Sequence, residues 1–302
     1  MTHALELIAA VFTPFDNEGA LNLGAIRLQA ERLINDDVDG VFVCGTMGEG
    51  TSLTTAERKK VLAEWIAVAG KRLKVLVHVG HTCIEDARDL AAHAQSVGAA
   101  GIASVPPFFL KPVNTADLVA CLAKVAASAP DLPFYYYHIP IATGITTPAS
   151  ELVPLLVDAI PNFAGIKFTD DNMADLANAT MQCLPTRNVY FGRDDLLIDA
   201  MDQGVRGAVG MSYNFAGKHF RRLFDAYQNG DKARAASLQD DAKALIGLAF
   251  PQGLVNVIKA ISVQASVDCG PVRLPLHTVS QEHLKELVEA SGAGASLGRL
   301  LS

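Results

Sequence analysis

Eight short β-rich runs punctuate the first two-thirds of the chain, and a helical pattern separates most of them. They are LIAAVF near position 10, GVFVCG at 40–45, KVLVHVG at 74–80, GIASVPP at 101–107, PFYYYH at 133–138, FAGIKF at 163–168, NVYFG at 188–192 and GAVGM at 207–211. Each run is close to continuously apolar rather than alternating. That is how a strand reads when both its faces are covered, as in an all-parallel sheet. Among the intervening segments, TTAERKKVLAEWIAVA opens with Thr54 as N-cap and Glu57 three residues later, a capping box ahead of an apolar stripe. CIEDARDLAAHAQSVG and NTADLVACLAKVAASA follow the same logic. Eight such strands alternating with helices close a (β/α)8 TIM barrel, an α/β fold.

From about residue 218 no further strong strand run occurs. HFRRLFDAYQNGDKARAASLQDDAKALIGLA and PQGLVNVIKAISVQAS read as helices broken at Gly230 and Pro251. The expected organisation is therefore a barrel over 1–217 and a C-terminal helical extension over 218–302 packed on it, with the Gly-rich tail SGAGASLGRLLS mobile. The competing fold is an open doubly wound sheet. That fold carries a Gly-rich phosphate turn after its first strand, and AAVFTPFDNEGALN contains neither GxGxxG nor a Walker pattern.

Composition narrows the partners. Half of the 302 residues are apolar and 19% are charged, which suits a buried core rather than disorder. A formal charge of −7 with no basic run argues against nucleic acid or an anionic membrane surface. No apolar span reaches membrane length, and MTHALELIAAVFTPFD lacks a basic n-region and a long apolar h-region, so the expected location is cytoplasmic. Cys44, Cys83, Cys121, Cys183 and Cys269 are scattered and form no CxxC. They are expected to be buried thiols in a reducing compartment, not a disulfide frame or a zinc site. Trp65 and the phenylalanines read as core.

Active sites of barrels lie at the C-terminal ends of the strands, so the polar residues there carry the chemistry. The sharpest is Lys167, inside the apolar run Phe163 to Phe168. An unpaired ammonium there costs several kcal/mol at least, so it must be paired or held neutral. A neutral amine in a barrel is a nucleophile toward ketones and aldehydes. The alternative is an ordinary lysine at the sheet edge, paired with Asp170 or Asp171. Tyr137 ends the neighbouring strand, where it can shuttle protons or simply pack. GTMGEG offers consecutive backbone N–H groups that suit an anion such as a carboxylate, or it is a tight structural turn. His78 and His81 resemble a spaced ligand pair, but on a strand they point to opposite faces and no third ligand is near. No metal site is expected. His138 is expected to face the helical layer.

GTMGE ahead of a TxxE cap, YYYHIPIATG and GIKFTD together resemble the pyruvate-dependent class I aldolases, the family of N-acetylneuraminate lyase and dihydrodipicolinate synthase. The likeness runs from the first strand to the C-terminal helices. PFFLKP, LPFYYYHIP, the GAVG and SYN segments and PVRLPL are most similar to its animal-type N-acetylneuraminate lyase branch. The resemblance implies that Lys167 forms a Schiff base with a 2-keto group and that Tyr137 is the acid–base residue. It implies that Thr46 and the backbone at Met47 hold the keto-acid carboxylate, with Thr169, Gly192, Asp194 and Asp195 lining the sugar-chain side. Asp194 and Asp195 also suit a helix N-cap pair. The lysine does a cofactor's work, so no cofactor is required, and the family implies a homotetramer acting on a small keto acid.

Two departures bear on the substrate. Family members commonly carry a hydroxyl where Met47 stands, and lyases commonly carry serine where Met211 stands; a thioether accepts hydrogen bonds only feebly. The synthase branch uses an arginine where this chain has Ala142 and an intersubunit tyrosine where it has Phe109. The implied reaction is reversible aldol cleavage of a 2-keto-3-deoxy acid to pyruvate and an aldehyde. Dehydration through the same iminium, a dihydrodipicolinate synthase-like reaction and a keto-acid-binding sensor are the alternatives.

Overall fold

In the computed structural model of the chain, which describes residues 5–265 and 267–302, eight strands close a barrel. They are β1 (Glu6–Ala10), β2 (Gly40–Val43), β3 (Lys74–His78), β4 (Gly101–Ser104), β5 (Phe134–His138), β6 (Phe163–Phe168), β7 (Asn188–Phe191) and β8 (Gly207–Gly210). Each pairs in parallel with the next, and β1 pairs with β8 to complete the ring. Almost every strand residue is buried, as the continuous apolar runs require of a sheet covered outside by helices and filled inside by side chains.

The barrel helices are α1 (Gly24–Asn35), α2 (Thr55–Ala69), α3 (Ile84–Ser96), α4 (Thr115–Ala126), the single turn α5 (Pro140–Thr143), α6 (Ala149–Ala159), α7 (Met173–Cys183), α8 (Leu197–Asp202) and α9 (Tyr213–Gln228). The capping box at α2 forms as its sequence requires: Glu57 N donates to Thr54 Oγ1 and Thr54 N to Glu57 Oε2. α9 packs against α1 and β1, where Arg221 donates to the Leu5 and Asp37 carbonyls and to Asp39. A kink at Ala216 divides α9, next to the 217/218 division drawn from the sequence.

The chain then continues as α10 (Lys232–Ala249), α11 (Leu254–Gln264), α12 (Gln281–Ser291) and α13 (Gly294–Leu301). The tail departs from expectation: it is helix α13, with Leu297 and Leu300 buried and Arg299 forked onto Asp241 of α10. Two leucines on one face and a bidentate ion pair outweigh the glycines. The cysteines also differ from expectation. Cys44, Cys183 and Cys269 are buried, but Cys83 is exposed at the start of α3 and Cys121 is half-buried beside the apolar stripe of α4. Trp65 is core, whereas Phe109 and Phe250 are exposed. No helix of the described residues is long and apolar enough to cross a membrane. The N-terminal expectation falls partly on residues 1–4, outside the described residues.

What positions the site is a bulge in β6. Phe134 pairs with Phe163 and Tyr135 with Gly165, so Ala164 is an extra residue. Phe134 and Tyr137 are three apart and face opposite sides of β5. Their partners Phe163 and Lys167 are four apart and would share a face in a regular strand. The bulge separates them: Phe163 follows Phe134 and Lys167 follows Tyr137. Gly165 makes the bend, with φ +138 and a Cβ position 1.8 Å from Asn188 O. Gly165→Ala is therefore expected to cost about 3 kcal/mol or more, read by urea denaturation. Wild-type stability in that variant would show that β6 bends by other means.

Candidate active site

Lys167 and Tyr137 are register partners on β6 and β5, near the C-terminal ends of those strands. Lys167 is 5% exposed; its Nζ donates to Thr169 Oγ1 at 3.0 Å and lies 3.6 Å from the centroid of the Tyr137 ring and 5.3 Å from that of Phe42. The aspartates expected under the ordinary reading go elsewhere. Asp171 lies 3.7 Å from Arg193, and Asp170 lies 4.0 Å from His138. Among the described residues Lys167 forms no ion pair. Burial pushes its pKa below the ordinary lysine value, against the opposing pull of Tyr137 and Asp194. The amine is thus biased toward its nucleophilic form.

Tyr137 is equally enclosed. Its ring meets Phe42 and His78 edge-on, with centroids 5.7 and 5.9 Å away, and its hydroxyl lies 3.4 Å from Thr46 Oγ1. Burial alone would raise the phenol, but the Lys167 charge and hydrogen bonding with Lys167, Thr46 and Thr169 outweigh it and hold the pKa below the ordinary value. The two groups compete for one proton across the barrel rim.

The GTMGEG turn follows β2. Cys44 and Glu49 are left-handed, with φ of 56 and 51, and bracket the turn. Inside it Glu49 N donates to Thr46 O and Gly50 N to Gly45 O, and a Cβ on Gly50 would lie 2.0 Å from Cys44 O. Among the described residues the N–H groups of Thr46 and Met47 find no acceptor, which leaves two adjacent donors for an anion.

These groups meet in a cavity of about 270 Å³ lined by Thr46, Met47, Tyr137, Lys167, Thr169, Gly192, Asp195 and Met211. A Cβ on Gly192 would lie 2.0 Å from Thr169 Oγ1, so a glycine is needed there for Thr169 to reach the amine. Asp195 is held by Arg193 through two bonds of 3.0 and 2.7 Å. Asp194 alone of the candidates does not line the cavity. It is buried behind the wall, where Oδ2 accepts from Ser212 N at 2.7 Å while Oδ1 has no partner, and burial raises its pKa to about 6.

Sequence reasoning missed the roof of the cavity. Ile246, Phe250 and Leu254 close it from the C-terminal helices, and Arg193 stands at its side. No local pattern marks those residues, because nothing but the tertiary fold brings them to the strand ends. The histidines are otherwise engaged. His78 Nδ1 meets Cys44 O at 3.2 Å, Nε2 accepts from Val105 N, and burial lowers its pKa to about 3. His81 accepts from Cys83 N. No group of three or more metal-ligating side chains occurs among the described residues. His138 faces the helical layer, 4.0 Å from Asp175 on α7.

A buried amine whose charge is disfavoured, a phenol beside it, a pair of free N–H donors and a cavity make a site that can capture a keto acid and move protons on it. The comparisons with known proteins agree in kind. Residues 3–293 match the dihydrodipicolinate synthetase family. The chain is 38% identical over 281 residues to an N-acetylneuraminate lyase of Pongo abelii, covering 91% of this chain and 88% of that one. It is 40% identical over 276 residues to N-acetylneuraminate lyase A of Xenopus laevis, covering 90% of each. The structure of the N-acetylneuraminate lyase (sialic acid aldolase) of Aliivibrio salmonicida superposes with a TM-score of 0.91 at 33% identity, covering 97% of this chain and 98% of that one.

Proposed function

The chain belongs to the dihydrodipicolinate synthetase family, and from that premise we propose that it is a Schiff-base-forming carbon–carbon lyase. It reversibly cleaves an N-acetylneuraminate-like 2-keto-3-deoxy sugar acid to pyruvate and an aldehyde. The observation that carries the reading is the buried Lys167 amine, without an ion-pair partner among the described residues and set over the Tyr137 ring.

The steps follow from this geometry. The substrate carboxylate docks on the free N–H groups of Thr46 and Met47, which sets C2 before Lys167 Nζ. The neutral amine adds to C2, and as the C2 oxygen leaves as water it takes the Tyr137 phenol proton, leaving a phenolate beside an iminium. Its charge takes the place of an ammonium beside Tyr137, so the phenol stays acidified, and the ring faces of Tyr137 and Phe42 favour the cation. The Tyr137 phenolate takes the C4 hydroxyl proton, the C3–C4 bond breaks, and the electron pair moves into the enamine. Tyr137 then returns the proton to C3, and water hydrolyses the iminium to pyruvate and free Lys167, the released proton restoring the Tyr137 phenol. Asp195, fixed by Arg193, and Thr169 line the side where the sugar chain lies; Asp194 supports the wall from behind.

The proposal includes a cytoplasmic homotetramer and the role of 218–302 as an extension that roofs the barrel. Exposed Phe109, Leu110 and Val113 supply apolar surface for contact between copies.

Three measurements test this function. Borohydride with pyruvate is expected to leave a covalent adduct on Lys167, found by peptide mass spectrometry; an adduct on another lysine, or none at saturating pyruvate, contradicts the mechanism. Tyr137→Phe is expected to lower kcat by roughly 10²–10⁴-fold while pyruvate trapping persists. Near-normal kcat would move the acid–base role to another group. Met47→Thr and Met211→Ser each restore a hydroxyl on the cavity wall. Each is expected to raise kcat/KM for N-acetylneuraminate several-fold, as one hydrogen bond worth about 0.5–1.5 kcal/mol allows. Unchanged kcat/KM in both variants would show that the methionines do not set specificity.

A further inference from the structure

The anion-receiving turn is held from behind by a buried ion pair that reaches it from the C-terminal helices. Lys259 on α11 and Glu49 have side chains only 2% and 1% exposed. Lys259 Nζ donates to Glu49 Oε1 at 2.8 Å, Thr13 O at 2.9 Å and Pro271 O at 2.8 Å, so all three N–H bonds are used. Arg273 N donates to the other carboxylate oxygen at 2.8 Å. Thr13 Oγ1 in turn donates to Gly48 O at 2.6 Å. Neither charged residue lines the cavity around Lys167.

A pair this deep is weak evidence for stability, because desolvating two charges offsets most of their attraction, and an apolar pair of similar volume often serves as well or better. What it does impose is geometry. Glu49 is left-handed, and its backbone N–H bonds Thr46 O, so the direction of its carboxylate and the orientation of the Thr46–Gly48 peptides are linked. With both carboxylate oxygens pinned and Gly48 O tied to Thr13, the turn has little freedom to rotate its unpaired N–H groups away from the cavity. We propose that Lys259 and Glu49 are positioning residues for the keto-acid carboxylate. Through them the C-terminal helices set pyruvate affinity from behind the turn, by side chains that do not line the cavity; this rests on the function proposed above.

The test is the pyruvate concentration that gives half-maximal borohydride trapping on Lys167, measured alongside Tm. Glu49→Gln keeps the shape of the side chain and removes its charge. It is expected to raise that concentration about ten-fold, the loss of one charge-assisted hydrogen bond, while trapping at saturating pyruvate persists. The double variant Glu49→Met with Lys259→Met is expected to recover Tm but not pyruvate affinity. A folded Glu49→Gln or double variant that traps pyruvate at the wild-type concentration overturns the proposal. So does failure of both to fold, which would assign the pair to stability. Absence of trapping in the unaltered protein would instead defeat the Schiff-base function.

Discussion

The structure depends on one costly placement: a lysine amine inside a barrel, with no carboxylate among the described residues paired to it. Water would hold that amine as an ammonium. Burial at 5% exposure, between two ring faces and one hydroxyl, disfavours the charge and favours the nucleophilic form. The surrounding features keep the amine there and give it something to do. The β6 bulge turns Lys167 inward while Phe163 packs outward, Gly165 permits the bend, and Gly192 lets Thr169 reach the amine.

Two lysines in this chain solve the same problem in opposite ways. Lys259 is as deeply buried as Lys167, but it has three acceptors, one of them the Glu49 carboxylate. It serves as a fixed point from which the C-terminal helices hold the turn after β2. Lys167 has a single hydroxyl acceptor and faces a cavity. Electrostatic complementarity thus separates a framework lysine from a reactive one, although both lie in apolar surroundings.

That contrast also shows how far the sequence could be read. IKF and VIKAI give the same signal, a lysine in an apolar run, and the chain order alone does not reveal that Glu49 lies against Lys259. The eight strands were legible because two-sided burial leaves continuous apolar runs, and the Thr54 cap because its two partners are three residues apart. Lys167, Tyr137 and the GTMGEG turn followed from the rule that strand ends carry the chemistry, whereas Thr169, Gly192 and Asp195 came from the family resemblance. Asp194 does not join them on the cavity wall, because the Ser212 backbone N–H draws its carboxylate behind the wall. The roof from Ile246, Phe250 and Leu254 was invisible, since its residues look like any apolar helix face until the tertiary fold sets them over the barrel. The tail was misjudged from its glycines because Asp241, its ion-pair partner, is remote in sequence.

The central claim is that burial disfavours the ammonium form of Lys167. It is tested most directly by an NMR titration of lysine side chains labelled at Cε, with the Lys167 signal assigned by its loss in Lys167→Ala. Because burial penalises the ammonium, Lys167 should release its proton at a lower pH than the ordinary lysine value of about 10.4. A Lys167 signal that titrates at or above the ordinary lysine value would contradict the account.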